Sequence, residues 1–359
     1  MDYKNRVRNL EQRRQGTRFV PTMDGYSVAV ENFALPKEEA FTKIQFPDSV
    51  KYAIGSMQAV DEDYTKKSYE EGDRVANQLK QHLAIPVDTD YQGSVPLNVH
   101  IKGNSDIDLL LLCKQFVTVD DSIRGNYTDY KGKSATDELI DLRAQAAKVL
   151  RDKYPRATVD DSPGKAIALS GGSLARAVDV IPSHWHDTKE YHETRLKKHR
   201  EIYVLDSKTN SRVNNKPFLH IALVDEKCNS VRGSLRKVIR LLKNLKYDAE
   251  LEVRFTSYDI VAVCYHMTQA ELTVPFGLDL LLLDRVQKHL DLTVSNASYR
   301  NTLTVPDGSR KIFDQAEKLN GLVRLKQELE SLIKDLAREL NPLADYLPRE
   351  TVLNKSVLL

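Results

Sequence analysis

Long apolar runs are missing from this chain of 359 residues. Two of the most apolar stretches, Ile107 to Cys113 and Leu278 to Leu283, are each interrupted by an aspartate, Asp108 and Asp279. Both fall far short of the ~18–20 apolar residues that span a bilayer, which excludes a transmembrane helix. The opening stretch, MDYKNRVRNLEQRRQ, carries charge with no apolar core behind it and does not read as a secretory signal. Cysteine is scarce as well. Cys113, Cys228 and Cys264 are odd in number, far apart and set in apolar patterns. They predict a reducing compartment and exclude a disulfide framework or a cysteine-based zinc site. Charge of one sign is also lacking: Lys plus Arg total 53 against 51 Asp plus Glu, so any basic surface must be local. The sequence has no internal repeat and no low-complexity segment. Its composition, 41% hydrophobic and 29% charged, belongs to a folded globular protein. A cytoplasmic location is expected.

At roughly 100–200 residues per domain, the length suits one large domain or two intimately packed ones. Residues 1–46 read as a basic N-terminal arm, with Lys4, Arg6, Arg8, Arg13, Arg14 and Arg18 against Asp2 and Glu11. Residues 47–210 read as a core of a long helix and a sheet. Val50, Ala53, Met57, Val60 and Tyr64, then Val75, Leu79 and Leu83, recur at helical spacing with a break near Asp61. A buried strand follows from Ile107 to Cys113, then an amphipathic helix over 134–154 capped by Ser134. Short strands are expected at 157–160, 165–170 and 174–181, with turns at Pro163-Gly164 and Gly171-Gly172, and with Pro182 ending the last strand. Residues 211–345 read as helical. They close on a leucine stripe from Ile312 to Leu340, which predicts a helix packed along its own domain. Residues 346–359 read as a short mobile tail. The architecture expected is α+β, a mixed sheet with helices packed on a C-terminal helical domain.

The chemistry concentrates in acids. Gln92-Gly93-Ser94 is followed, twelve residues after the serine, by Asp106-Ile107-Asp108 at the head of the buried strand. Strand side chains alternate, so Asp106 and Asp108 share a face about 6–7 Å apart along the strand. Two such carboxylates suit hard cations such as Mg²⁺, and the Gly-Ser turn offers N–H groups and a hydroxyl to a polyphosphate. Asp179, inside LARAVDVI, is the third acid. An unpaired aspartate in an apolar strand costs several kcal/mol, so it requires a partner. A salt bridge to Arg176 or a strand-end cap would be the purely structural solutions.

The wording QGS, then NSDIDLLLL, then VDVIP resembles the nucleotidyltransferase superfamily of DNA polymerase β type. Within it, the chain looks like the bacterial cyclic-oligonucleotide synthases (CD-NTases), akin to cyclic GMP–AMP synthase and oligoadenylate synthase. It departs from them at Leu97-Asn98-Val99-His100, where the family has a small Gly-Thr step. The resemblance implies a polymerase β-like fold and two Mg²⁺ ions, replaceable by Mn²⁺, held by catalytic Asp106, Asp108 and Asp179. It further implies nucleotide binding by Gln92, Gly93 and Ser94. In the family, the helix equivalent to VRGSLRKVIRLLKNLKY (231–247) supplies a lysine to the donor triphosphate. Lys243 is the carry-over, with Lys237 or Arg240 as alternates. A Ser-Tyr pair, here Ser257 and Tyr258, contacts the triphosphate and stacks on the donor base.

Read as residues alone, these features have plainer meanings. Arg232, Arg236, Arg240, Lys243 and Lys246 fall within ~120° on a helix and predict a solvated face. Ser257 followed by Asp259 predicts an N-cap. His184, His186, His192 and His199 lack the scaffold of a zinc site. Trp185 either lines an acceptor-base pocket or packs on the sheet. The activity implied is template-independent joining of nucleoside triphosphates into a cyclic di- or trinucleotide messenger in antiphage (CBASS) signalling. Its partners would be nucleoside triphosphates and CBASS regulatory proteins, with no membrane and no nucleic acid required. One alternative is a toxin or RNA-modifying enzyme that transfers NMP to tRNA or protein along the basic arm and stripe. Another is a nucleotide-binding scaffold subunit that recruits partners through its long C-terminal helix.

Overall fold

The computed structural model describes residues 2–15, 19–21, 27–29, 39–103 and 105–359. By internal packing the chain divides into two compact units that do not follow its order: residues 1–60, 99–104 and 224–359 form one, and 61–98 and 105–223 the other.

The first unit is helical, apart from a small antiparallel pair, β1 (Phe19–Pro21) and β2 (Ser27–Ala29). Its main helices are Tyr3–Gln15, Asp48–Met57, Ser234–Asp248, Ser257–Tyr265, Leu281–Ser295 and Ala316–Leu340. In the last of these Leu322, Leu325, Leu329, Leu332 and Leu336 are fully buried, so the leucine stripe packs within its own unit. The basic N-terminus is not an arm in solvent. It is a helix that buries Tyr3, Val7 and Leu10 together with three of its arginines. Arg6 pairs with Glu328 at 2.8 Å and Arg14 with Glu39 at 3.0 Å. Arg13 grips both carboxylate oxygens of Asp248, donates to Asn244 at 3.1 Å and lies over the Tyr247 ring. Arg18 and the rest of the arm's undescribed stretches lie outside the described residues. The C-terminal tail is packed rather than mobile: Val352, Leu353 and Val357 are buried, and the Val357 N–H donates to the Gly277 carbonyl at 2.9 Å.

The second unit is built on a seven-stranded mixed sheet. Its strands are β3 (Val87–Gln92), β4 (Ile107–Val119), β5 (Thr158–Asp160), β6 (Ile167–Ser170), β7 (Val178–Asp187), β8 (Arg200–Asp206) and β9 (Ser211–Asn215). Their order is β3-β4-β7-β6-β5, with β8 on β7 and β9 on β8. Of these pairings, only β4 with β7 is parallel. β7 does not stop at Pro182. Residues 178–180 pair with β6 and 183–187 with β8, and the proline falls in the gap between them, where its missing N–H breaks no pairing on that edge.

Alternation along the strands builds the two faces. Ile107, Leu109 and Leu111 of β4 join Val178 and Val180 of β7 under the helices Glu62–His82 and Ala135–Lys153. Leu110 and Leu112 join Ile181, Ile202 and Val204 on the opposite face. The long helix expected over 49–83 is broken, as its pattern suggested. Asp61 caps the second piece by accepting from the Tyr64 N–H at 2.8 Å. Among the described residues no helix is long and apolar enough to cross a membrane.

Arg13 is 2% exposed, and Asp248 also accepts from the Tyr52 hydroxyl at 2.8 Å. Asp248→Ala would leave a buried guanidinium without its carboxylate, a loss of about 3–5 kcal/mol. Urea unfolding should show a destabilisation of that size, and a loss of less than about 1 kcal/mol would mean the pair is solvated.

Candidate active site

The sheet register assembles the acids. Gln92 faces Asp108 across β3 and β4, and Asp108 faces Asp179 across the parallel pair β4 and β7. Asp179 in turn faces Ala168, and Ala168 faces Asp160. Directly paired residues on neighbouring strands, ~4.8 Å apart, project to the same side of a sheet. One row therefore carries Gln92, Asp108, Asp179, Ala168 and Asp160 on the face away from the two helices. Asp106, one residue before β4 begins, follows the alternation onto that face. Ala168 offers only a methyl group beside Asp179, so the acid is not crowded from that side.

Gly93 closes the row at its near end. Its φ of +80° lies in the left-handed region, and a Cβ there would overlap Oδ2 of Asp108. Only glycine brings the turn after β3 this close to the carboxylate. Ser94 follows, half-buried in that turn. The Gln92 side-chain carbonyl accepts from Asn215 Nδ2 at 3.1 Å. Asn215 carries no signal in the sequence, because its place beside Gln92 depends on β9 reaching the site through β8.

At Asp106 and Asp179 the electrostatics are those of negative charge held out of water. Burial raises the Asp179 carboxyl to about 6, and the neighbouring Asp106 adds to the rise. Asp106 is itself raised by desolvation, although its side chain reaches solvent. Arg176 does not pair with Asp179. It donates to the Ala175 carbonyl at 2.6 Å and lies over the Tyr64 ring at 3.7 Å. Among the described residues no basic side chain bridges to Asp106 or Asp179. As the side chains stand, no three such ligands among the described residues are gathered closely enough to hold an ion. The backbone nonetheless fixes oxygen-only donors of like charge in a desolvated row. Crowding of that kind is relieved either by a proton or by a hard divalent cation, so the donor set fits Mg²⁺.

The histidines after Asp179 are engaged elsewhere. His184 accepts from Arg212 at Nε2 and contacts the Trp185 carbonyl through Nδ1, both at 2.9 Å, and burial lowers its pKa to about 4. His186 lies between Thr118 and Asp120. Trp185 packs against Phe218, with the Arg200 guanidinium 4.2 Å over its ring.

The remaining candidates belong to the helical unit. The cations of Ser234–Asp248, expected on a solvated face, are turned inward instead. Lys243 is 4% exposed and donates to the Val99 carbonyl at 2.7 Å. Arg240 reaches the Met57 carbonyl and Lys246 that of Phe255. Arg236 pairs with Asp225, and half-buried Lys237 with Asp279 at 2.6 Å. Backbone carbonyls and carboxylates of the same unit take the place of water. Ser257 is not the N-cap: Thr256 accepts from the Asp259 N–H at 3.1 Å, and Ser257 is the exposed first residue of the helix. Tyr258 is half-buried, and its hydroxyl donates to Asp307 at 2.9 Å.

A mixed sheet that carries acids on adjacent parallel strands beside a Gly-Ser turn defines a nucleotidyltransferase of the polymerase β-like fold. No family model matches the chain. Over 358 residues it is 35% identical to a cyclic dinucleotide synthase, CdnE, of Yersinia aleksiciae, covering 94% of this chain and 93% of that one. It is 31% identical to a c-di-GMP synthase of Capnocytophaga granulosa, covering 82% of this chain and 89% of the other. The solved STING-associated CdnE c-di-GMP synthase from Capnocytophaga granulosa matches it with a TM-score of 0.73 at 27% identity, over 97% of this chain and 100% of that one. The chain belongs to the CD-NTase family of cyclic dinucleotide synthases.

The Asp179 carboxyl titrates near 6 in the folded protein against an ordinary 3.8, so the folded state holds a proton that the unfolded chain has released. Stability from that proton is full below the ordinary value and is lost as pH rises through about 6. In EDTA, the melting temperature of the wild type should fall more steeply between about pH 4 and 6 than that of Asp179→Asn. Mg²⁺ at neutral pH should raise the wild-type melting temperature but not that of the Asp106→Asn/Asp179→Asn double variant. Identical pH slopes for wild type and Asp179→Asn would contradict the assignment.

Proposed function

We propose that this chain joins two nucleoside triphosphates into a cyclic dinucleotide, with GTP as the first substrate to test because the Capnocytophaga granulosa relative is a c-di-GMP synthase. The observation that carries the reading is the register that sets Asp108 beside Asp179, with Asp106 adding its charge and Gly93-Ser94 abutting them.

Asp106, Asp108 and Asp179 would hold two Mg²⁺ ions, with Mn²⁺ as a substitute. When bound, such ions lower the pKa of the acceptor ribose hydroxyl and offset the charge that develops on the transferred phosphoryl group. The chain's own residues do the rest. Asp179, titrating near 6, is mostly ionised at neutral pH and able to take up positive charge. The N–H groups of the turn and the Ser94 hydroxyl receive phosphate oxygens beside the acids, which the absent side chain of Gly93 allows. A cation of the Ser234–Asp248 helix, Lys243 or its alternates Lys237 and Arg240, neutralises the outer phosphates, with Ser257 donating to them. Tyr258 stacks on the donor base, an interaction typically about 1–3 kcal/mol. The acceptor oxygen bonds to the α-phosphorus as the bond to pyrophosphate breaks. A second such step closes the ring, so two pyrophosphates leave for each product.

The setting we propose is bacterial antiphage (CBASS) signalling in the cytoplasm, with a cyclic-dinucleotide-sensing effector and regulatory proteins as partners. The STING association of the Capnocytophaga granulosa relative supports it. Transfer to RNA or protein loses the support of a basic arm, because Arg6, Arg13 and Arg14 of the N-terminal helix are buried and paired within their own unit.

Asp106→Ala and Asp179→Ala should each keep no more than a few per cent of wild-type product formation. Asp160→Ala should keep most of it, since Asp160 lies beyond Ala168 and is held by the Ser162 N–H. The readout is mass spectrometry of the phosphatase-resistant product made from GTP and from all four triphosphates. A resistant product without guanine would overturn the base assignment. Full activity in Asp179→Ala would overturn the site.

A further inference from the structure

A cleft of about 270 Å³ opens in the helical unit beside the start of Ser234–Asp248. Every residue that lines it belongs to that unit. Its floor is remote from Ser257 and Tyr258. Lys246 donates to the Phe255 carbonyl, two residues before Ser257, at 2.7 Å. Ser234 lies twelve residues earlier on the same helix, ~18 Å away at 1.5 Å per residue.

That floor is a helix N-terminus without a cap. Gly233 stands at the N-cap position and has no side chain to accept from the first N–H groups. Those groups carry the positive end of the helix dipole. Ser234, only 5% exposed, lines the cleft, and its hydroxyl has no hydrogen-bond partner among the described residues. Buried hydroxyls are almost always satisfied, so this one points to an acceptor that the chain itself does not supply. Two cations line the same cleft. Lys237 is paired with Asp279, another lining residue, at 2.6 Å. Arg232 is exposed and has no carboxylate within ion-pair distance among the described residues. Two cations against one carboxylate leave one positive charge, to which the helix end adds. The complement is a monoanion.

The rest of the lining is mostly apolar. Ile54, Val274, Pro275, Val357 and Leu358 contribute to it, together with Phe276, which is 93% exposed. The loop and the tail that carry most of them are tied by the Val357 N–H, which donates to the Gly277 carbonyl at 2.9 Å. A phenyl ring left almost wholly in water forgoes the burial that its surface favours, and regains some of it when a second apolar body enters the cleft. A cavity of ~150 Å³ holds benzene, so this one has room for a ring together with a charged group.

We propose that this cleft binds a small amphipathic monoanion, a carboxylate on an apolar body, with the carboxylate on the Ser234 hydroxyl, the helix N–H groups and Arg232, and the body against Phe276. The proposal does not rest on the reading of the acids. Binding of 4-phenylbutyrate to the full chain is measured by ligand-observed NMR titration. Butyrate, which lacks the ring, and 4-phenylbutanamide, which lacks the charge, are titrated beside it. The wild type and Asp106→Asn should bind 4-phenylbutyrate alike, with a Kd of about 1 mM or tighter. Butyrate and the amide should each bind about tenfold more weakly. Ser234→Ala should weaken binding of the carboxylate about three- to tenfold and Arg232→Gln about tenfold. Phe276→Ala should weaken it about threefold. Arg232→Gln should leave the affinity for the amide unchanged, and saturating GTP should not displace 4-phenylbutyrate.

No saturable binding of 4-phenylbutyrate would overturn the proposal. Equal affinity for the amide would remove the anion site, and equal affinity for butyrate the apolar one. Displacement by GTP would make the cleft part of the nucleotide site. Affinity unchanged in Ser234→Ala, Arg232→Gln and Phe276→Ala would place the ligand elsewhere. Each of these results overturns it.

Discussion

The parallel pairing of β4 with β7 is the constraint on which the rest depends. It sets Asp108 opposite Asp179 only while Ile107, Leu109 and Leu111 share the buried face with Val178 and Val180. A slip of one residue would turn Asp179 toward the helices and expose two valines. Full burial of each such side chain is worth about 1.5–3 kcal/mol, so the apolar face holds the acids in a register they would not choose themselves. Burial of the Asp179 carboxyl opposes the arrangement first and its repulsion from Asp106 second, and both raise its pKa. The row of acids is thus a by-product of the core on the other side of the sheet.

The helical unit solves a different electrostatic problem. Ser234–Asp248 carries five cations and buries two of them, Arg240 and Lys243, which is tolerable only because each finds a backbone carbonyl. Met57 and Val99 supply those carbonyls from elements distant in sequence, and Phe255 supplies a third, to Lys246, from just beyond the helix. Arg13, reaching Asp248 at the end of the same helix, completes the pattern. The helix is fixed by its charges as much as by its leucines.

What the sequence revealed follows from how local each signal is. Asp106 and Asp108 stand out because a two-residue spacing on a strand places them together, and Asp179 because a charge inside an apolar strand has no cheap explanation. The break at Asp61 and the leucine stripe of Ala316–Leu340 were likewise readable from periodicity. Partners distant along the chain were not. An amphipathic stripe looks the same whether it faces water or carbonyls, so the burial of Arg240 and Lys243 left no trace, and neither did the pairing of Arg13 with Asp248. Pro182 misled because a proline usually ends a strand, whereas here two different neighbours share one edge of β7. Thr256 and Ser257 are adjacent and both suit a cap, and only backbone geometry separates them.

The central claim is that the β4–β7 register builds a site for divalent cations on Asp106, Asp108 and Asp179. Anomalous diffraction from crystals grown with Mn²⁺ and a non-hydrolysable GTP analogue tests it most directly. The account predicts manganese peaks within coordination distance of all three carboxylates, lost in crystals of Asp108→Asn. Manganese bound elsewhere, or nucleotide bound with these three side chains bare of metal, would contradict it.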